Sequence, residues 1–331
     1  MASLTGGSTV GGYLILHQGM TTDLLNCQIL ENEGGIVAIS AKAAPDFTQS
    51  PNTDEGVYQT TDLDGISLYY RGAVTDNYVS FLDYYWRIIR INGDGSVRLI
   101  YAGKVEDVGE VAYANNYNDS VNKITSLGST GYNITTNDAK YLGWTYDNQT
   151  TVQNSNLKNY LNEWYTGFDN TVDPAQATTK FTYPGDIPGL TSYAINFGNT
   201  KFCNDTSSSL ATRMSSAQPS LDCPEIVDPD FGGSYTAKVG LISVDEMIMA
   251  GVNNSWITNN SYLNQGYTFW TMSPVTFDST AQMYTNPGFN NGKQNVDAVV
   301  PVRPVISLAK ESTVVSGTGT ASDPYFIRAI H

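Results

Sequence analysis

The chain has 331 residues, 40% of them hydrophobic, with 22 Tyr, 11 Phe and 5 Trp, enough apolar mass for one large core or two smaller ones. Only 15% of residues are charged and no block of like charge occurs, which is not the composition of a disordered chain. A net charge of −15 repels phosphate backbones and anionic bilayers, and no apolar run approaches the roughly 18 residues of a membrane helix, so neither nucleic acid nor membrane is an expected partner.

Residues 1–20 are rich in Gly and Thr and end in Tyr13-Leu14-Ile15-Leu16-His17-Gln18-Gly19-Met20. The opening residues carry no basic side chain and Tyr13–Leu16 is too short for a signal-peptide core. The expectation is a cytosolic protein or one that leaves the cell without a classical export signal. Thr22 to Glu33 reads as a helix, with Leu24, Leu25, Cys27 and Ile29 supplying its apolar positions and Gly34-Gly35 its stop. Ala41 to Thr61 carries Pro45 and Pro51 and reads as loop or linker. From Gly56 to Tyr101 the pattern is strand-rich: Ser67–Arg71, Tyr78–Phe81, then two β-branched and aromatic runs around Asn92-Gly93-Asp94-Gly95. Glycines there supply the positive φ of a tight hairpin.

Residues 103–150 show no sustained period and read as loops. Asn154 to Phe168 is the clearest helix. Leu157, Tyr160, Leu161, Trp164 and Tyr165 fall on one stripe and Ser155 stands at the cap, so this face is expected on a sheet rather than around a cofactor. Ala237–Ile242 reads as a strand leading into Ser243-Val244-Asp245-Glu246, a capping box that opens a helix running to Ala250 and ended by Gly251. Thr268–Pro274 reads as a buried strand, Asp278–Asp297 as a Gly/Asn/Tyr loop, Val299–Leu308 as a strand, and residues 317–327 as a turn and last strand. Strands mixed with a few helices, without βα alternation, indicate an α+β fold.

Two histidines, His17 and His331, leave little for a His-based triad or zinc site, and no Walker, nucleophile-elbow or dinucleotide motif is present. No cofactor and no metal site are expected. The oxygens of Asp62, Asp64, Asn92 and Asp94 complete no calcium loop and read as turn residues. Carboxylate-dependent glycoside hydrolysis needs only two acids. The most conspicuous pair, Asp245-Glu246, is explained by capping. Cys203 and Cys223 flank a polar loop and could close it for a gain of about 3 kcal/mol; reduced thiols are the alternative in a cytosolic protein. Cys27 reads as a small buried hydrophobe.

Several blocks together resemble a surface-protein family common in gut Firmicutes and their phages. They are Tyr70-Arg71-Gly72-Ala73-Val74, Tyr85–Ser96, Phe202-Cys203-Asn204-Asp205, Leu221-Asp222-Cys223-Pro224, Val239-Gly240-Leu241-Ile242 with Asp245-Glu246, Phe269–Pro274 and Val302-Arg303-Pro304-Val305-Ile306-Ser307-Leu308. The likeness runs from about residue 30 to the end. It implies a C-type-lectin/formylglycine-enzyme-like domain, and Val10–Met20 resembles a segment of phage tail-fibre proteins.

On that resemblance, residues 1–45 are expected to be an attachment segment, with Tyr13, Leu14 and His17 contacting other virion proteins, and residues 46–331 a display domain. The long loop before the last core strand would carry the ligand surface, through Tyr284, Asn286, Phe289, Asn290, Asn291 and Lys293, whose ring, amide and amine groups suit a host glycan or protein. Trp86, Trp270 and Arg303 are expected to be scaffold. The implied protein is a non-enzymatic, homo-oligomeric, preferably trimeric component of a virion surface. The alternatives are a pilin-like adhesin of the bacterial surface and a carboxylate-dependent polysaccharide hydrolase.

Overall fold

A computed structural model describes residues 23–81, 84–104, 129–147, 152–171, 198, 200–204, 212–213, 216–223, 233–252, 260–264, 268–275, 277–286 and 292–328. Among the described residues two helices come first, α1 (Leu25–Asn32) and α2 (Gly35–Ser40), separated by Gly34 at φ 79°. Five strands follow: β1 (Asp54–Asp62), β2 (Gly65–Gly72), β3 (Tyr78–Phe81), β4 (Tyr84–Ile91) and β5 (Val97–Lys104). Short strands β6 (Ser129–Thr130), β7 (Thr145–Asp147) and β8 (Val152–Asn154) precede the long helix α3 (Asn156–Thr171). After the ribbon β9 (Thr200–Asn204) and β10 (Gly233–Ala237) comes helix α4 (Val244–Met249). The chain then gives β11 (Trp270–Pro274), β12 (Gln282–Thr285), β13 (Lys293–Asn295), β14 (Val300–Pro301), β15 (Val305–Leu308), β16 (Thr313–Ser316) and β17 (Tyr325–Arg328). The fold is mixed α+β, mostly sheet with few helices.

β4 organises the molecule. One of its edges pairs with β5, and β5 with β15. Its other edge is shared: β3 takes the Tyr84–Arg87 half and β2 the Arg90–Ile91 end. β1 extends the sheet beyond β2, while β17, parallel to β3, and then β16 extend it beyond β3, giving eight strands. The turn between β4 and β5 forms as its residues dictate. Gly95 sits at φ 88°, the Asp94 carboxylate accepts the Ser96 N–H at 2.9 Å, and Asn92 and Ser96 close the turn at 2.8 Å.

α3 packs its apolar stripe on this sheet. Leu157 and Leu161 are fully buried, and Trp164 meets Tyr84 and Trp86 of β4 at 6.2 and 6.4 Å between ring centroids. The Ser155 hydroxyl caps the helix by accepting the Lys158 N–H at 3.1 Å. Trp86, Trp270 and Arg303 are buried scaffold; Arg303 donates to Tyr101 O and Leu263 O.

Four stretches differ from the reading of the sequence. Residues 54–61 form β1 rather than linker, because Asp54–Asp62 pairs along nearly its whole length with β2. Ala237–Ile242 is not a strand: β10 ends at Ala237, and Gly240 makes only a single bridge, its N–H and C=O each bonded to Val305 at 2.9 Å. Residues 282–285 and 293–295 pair as a hairpin within the stretch read as loop. Finally, Leu25, Ile29, Leu30 and Ile39 lie in the same hydrophobic core as the sheet, and the Leu25 N–H reaches Ser312 O at 2.9 Å. Helices α1 and α2 thus pack into the core that the sheet forms. Among the described residues, no helix is long and apolar enough to cross a membrane.

Candidate functional site

A cleft of about 190 Å³ opens where the ends of β1, β4 and β5 meet the β9–β10 ribbon and α4. It is smaller than the roughly 300–1,000 Å³ pockets of drug-sized ligands, and matches about one sugar ring or one amino-acid side chain.

The hairpin register creates the electrostatic problem at its base. Arg90 and Arg98 are direct partners across β4 and β5, and both are buried. Like charges so placed repel. Glu246, in the first turn of α4 and 3% exposed, answers both: its Oε1 lies 3.1 Å from Arg90 Nε and 2.6 Å from Arg98 Nε. The same carboxylate completes the capping box, accepting the Ser243 N–H at 2.9 Å while the Ser243 hydroxyl accepts the Glu246 N–H. Asp62, at the end of β1, takes Arg90 Nη1 at 2.6 Å and the Gly93 N–H at 2.9 Å.

Burial by itself would raise both carboxyls. For Glu246 the guanidiniums of Arg98 and Arg90 and the Ser243 N–H outweigh it, and for Asp62 Arg90 and the Gly93 and Asp64 N–H groups do; each is held below the ordinary carboxylate range.

The opposite wall is a strap made of Arg213 and residues 216–223. Arg213 grips the Asp245 carboxylate with both arms of its fork, at 3.0 and 3.1 Å. The Ser220 N–H donates to the same carboxylate at 3.1 Å, and Leu221 bridges to Asp62. Cys203 at the end of β9 and Cys223 form a disulfide that ties the strap to the ribbon. On the rim, Lys201 pairs with Asp64. Phe202, Leu241 and Met272 supply apolar surface below.

Of the residues singled out for ligand binding, Tyr284, Asn286 and Lys293 do not line this cleft. Tyr284 is 5% exposed and packs with Val244, Ile248 and Val275, because the β12–β13 hairpin lies against α4. Asn286 is 1% exposed, its N–H bonded to Phe269 O at 2.9 Å. These two side chains are interior rather than rim. Lys293 is half-buried, with Nζ 5.8 Å from the Tyr284 ring centroid. Phe289, Asn290 and Asn291, and the attachment residues Tyr13, Leu14 and His17, lie outside the described residues. Glu246 does cap α4, but capping is only part of its role, and Asp245 instead holds Arg213 and the Ser220 N–H. The overlooked signal was the pair of inward arginines in a hairpin whose turn fixes their register: two facing buried cations require a buried acid.

Two further carboxyls are shifted the other way, at the far edge near β17. Burial pushes up Glu33, with Asp76 and Asp54 adding to it against Val57 N–H and Lys42; burial and then Asp54 push up Asp76. No family model matches the chain, and no curated protein or solved structure matches it.

Proposed function

We propose that this chain is a non-catalytic binding module of a phage virion surface, with a C-type-lectin-like body that holds a sugar-sized group of the host surface in the cleft. The observation that carries this reading is the way the cleft's charges are used. Arg90, Arg98, Arg213 and Lys201 each face a carboxylate of the cleft itself, so its cations are already engaged by Glu246, Asp62, Asp245 and Asp64. Asp62 and Glu246 are held ionised and offer no proton to a leaving group. What remains is a rigid set of acceptors over an apolar floor, suited to hydroxyl-rich, uncharged ligands rather than acidic ones. Support also comes from the ordered blocks that resemble phage and Firmicutes surface proteins. On this reading the first 45 residues attach the module to other virion proteins and the particle displays it as a homo-oligomer, preferably a trimer.

The hydrolase reading has one observation in its favour, the raised carboxyls of Glu33 and Asp76. Neither lines the cleft. One experiment separates the two. The purified chain is applied to immobilised neutral, amino and acidic oligosaccharides, and soluble glycan is assayed in parallel for new reducing ends. Binding predicts retention on neutral or amino sugars, weakened at least tenfold by Lys201→Ala or Asp222→Asn at the rim, with no reducing ends released. Release of reducing ends that stops in Glu33→Gln would replace this proposal with the hydrolase.

A further inference from the structure

Among the described strap residues, Thr212, Arg213 and 216–223, no side chain belongs to the main hydrophobic core. The described contacts that hold the strap to the body include the polar contacts to Asp245, the Leu221–Asp62 bridge and the sulfur–sulfur bond. Asp245 sits in α4, and Asp62 remains anchored by Arg90 and Gly93 whether or not the strap is present. The body and the strap therefore have separable stabilities, the condition for a segment to open locally while the rest stays folded.

We infer that the Cys203–Cys223 disulfide is a redox latch on the cleft: its reduction frees Arg213 and residues 216–223 from the cleft wall while the eight-stranded sheet stays folded. A dithiol reductant supplies two electrons and two protons. The sulfur–sulfur bond becomes two thiols, which take the protons of the reductant's two S–H groups, and the reductant closes into its own cyclic disulfide. The bridge spans a sequence separation of 20, and its loss returns the chain entropy that ring closure had removed. Cys203, Ser220, Leu221 and Cys223 all line the cleft, so an opened strap takes away one wall. Oxidising surroundings keep the cleft formed and reducing ones dismantle it. The consequence for ligand rests on the binding role proposed above; release of the strap does not.

The test uses the full chain. Thiol titration in denaturant should count one thiol of the three cysteines, Cys27; three thiols would overturn the proposal. Hydrogen exchange is then followed with and without dithiothreitol. Peptides covering 216–223 should exchange at least tenfold faster on reduction, while peptides covering Trp86–Tyr101 keep their protection. Unchanged exchange in 216–223, or protection lost in both regions together, overturns it. The double variant Cys203→Ser/Cys223→Ser should reproduce the reduced pattern without reductant. A double variant that fails to fold, or that protects 216–223 like the oxidised wild type, also overturns it. Because the readout contains no sugar, failure of glycan binding would sink the binding role and leave the latch standing.

Discussion

Replacing Glu246 by Gln separates two explanations of one residue. If the side chain matters only as the third position of a capping box, Gln serves nearly as well, and the change should cost no more than about 0.5 kcal/mol. The structure gives it a second task. Its carboxylate is the shared counter-charge of Arg90 and Arg98, with contacts of 3.1, 2.6 and 3.3 Å, and it is 3% exposed. Removing one partner of a buried ion pair leaves an uncompensated charge and costs about 3–5 kcal/mol. Arg90 keeps Asp62, and Arg98 keeps the Lys201 and Leu241 carbonyls, which places the expectation toward the lower end. Urea unfolding near neutral pH, followed by tryptophan fluorescence, should show a loss of about 3 kcal/mol. The pH dependence has a definite sign. The folded carboxyl lies below its unfolded value of 4.5, so the stability it contributes is complete above that pH and disappears as pH falls through the folded value. The gap between wild type and variant should therefore narrow on acidification below 4.5. A neutral-pH gap under about 1 kcal/mol would refute the argument, and so would a gap that widens in acid.

Two other outcomes follow from burial. Leu161→Ala removes a fully buried side chain from the α3–sheet interface and should cost about 2–5 kcal/mol in the same unfolding assay, whereas Glu163→Ala on the exposed face should stay within about 0.5. Glu33→Gln tests the opposite pH sign. Its carboxyl faces Lys42 and the Val57 N–H and feels Asp54 and Asp76, and burial raises it above its unfolded 4.5. A carboxyl raised on folding stabilises fully below that value and loses its contribution as pH rises through the folded value. Melting temperatures from pH 4 to 7 should therefore show the variant gaining on wild type as pH rises; a constant difference would refute it.

Where local chemistry alone decides a structure, the sequence was legible. The Asn92–Ser96 turn, the stripe of α3 with its Ser155 cap, and the Ser243–Glu246 box all formed as their residues indicate. Where pairing partners are distant, it was not. β1 looks like a proline-flanked linker until β2 supplies its ladder. Residues 237–242 have strand composition, but at Gly240 an added Cβ would lie 2.5 Å from the Phe202 ring, and the close approach permits one bridge to Val305 instead of a ladder. The resemblance places Tyr284 and Asn286 on a ligand-bearing loop, and no local pattern distinguishes a tyrosine that faces water from one packed under a helix. The cleft itself joins residues 62, 90, 98, 213 and 246, and no local period connects them.

The buried arginines show how so irregular a chain is held still. Arg71, Arg87, Arg90, Arg98 and Arg303 are all interior, and their bonds run to backbone carbonyls, side-chain oxygens and carboxylates of segments distant in sequence. Arg71 alone donates to the carbonyls of Asp46, Gln49, Ile248 and Met249 and pairs with Glu55, pinning a loop and the end of α4 to β2. Arg87 does the same for the turn at Val74 to Tyr78, and Arg303 for the segments at Tyr101 and Leu263. A guanidinium fork satisfies several loop carbonyls at once, which strand pairing cannot do where the backbone is not extended. Connections can then be long and polar at the surface without the interior loosening. The binding role proposed above would need that combination, since a wall made of loops discriminates between ligands only when its position is fixed before the ligand arrives. In the cleft the same device recurs with Arg213 and Asp245, on a strap whose described side chains stand outside the main core. There a covalent bond, not burial, completes the fixing.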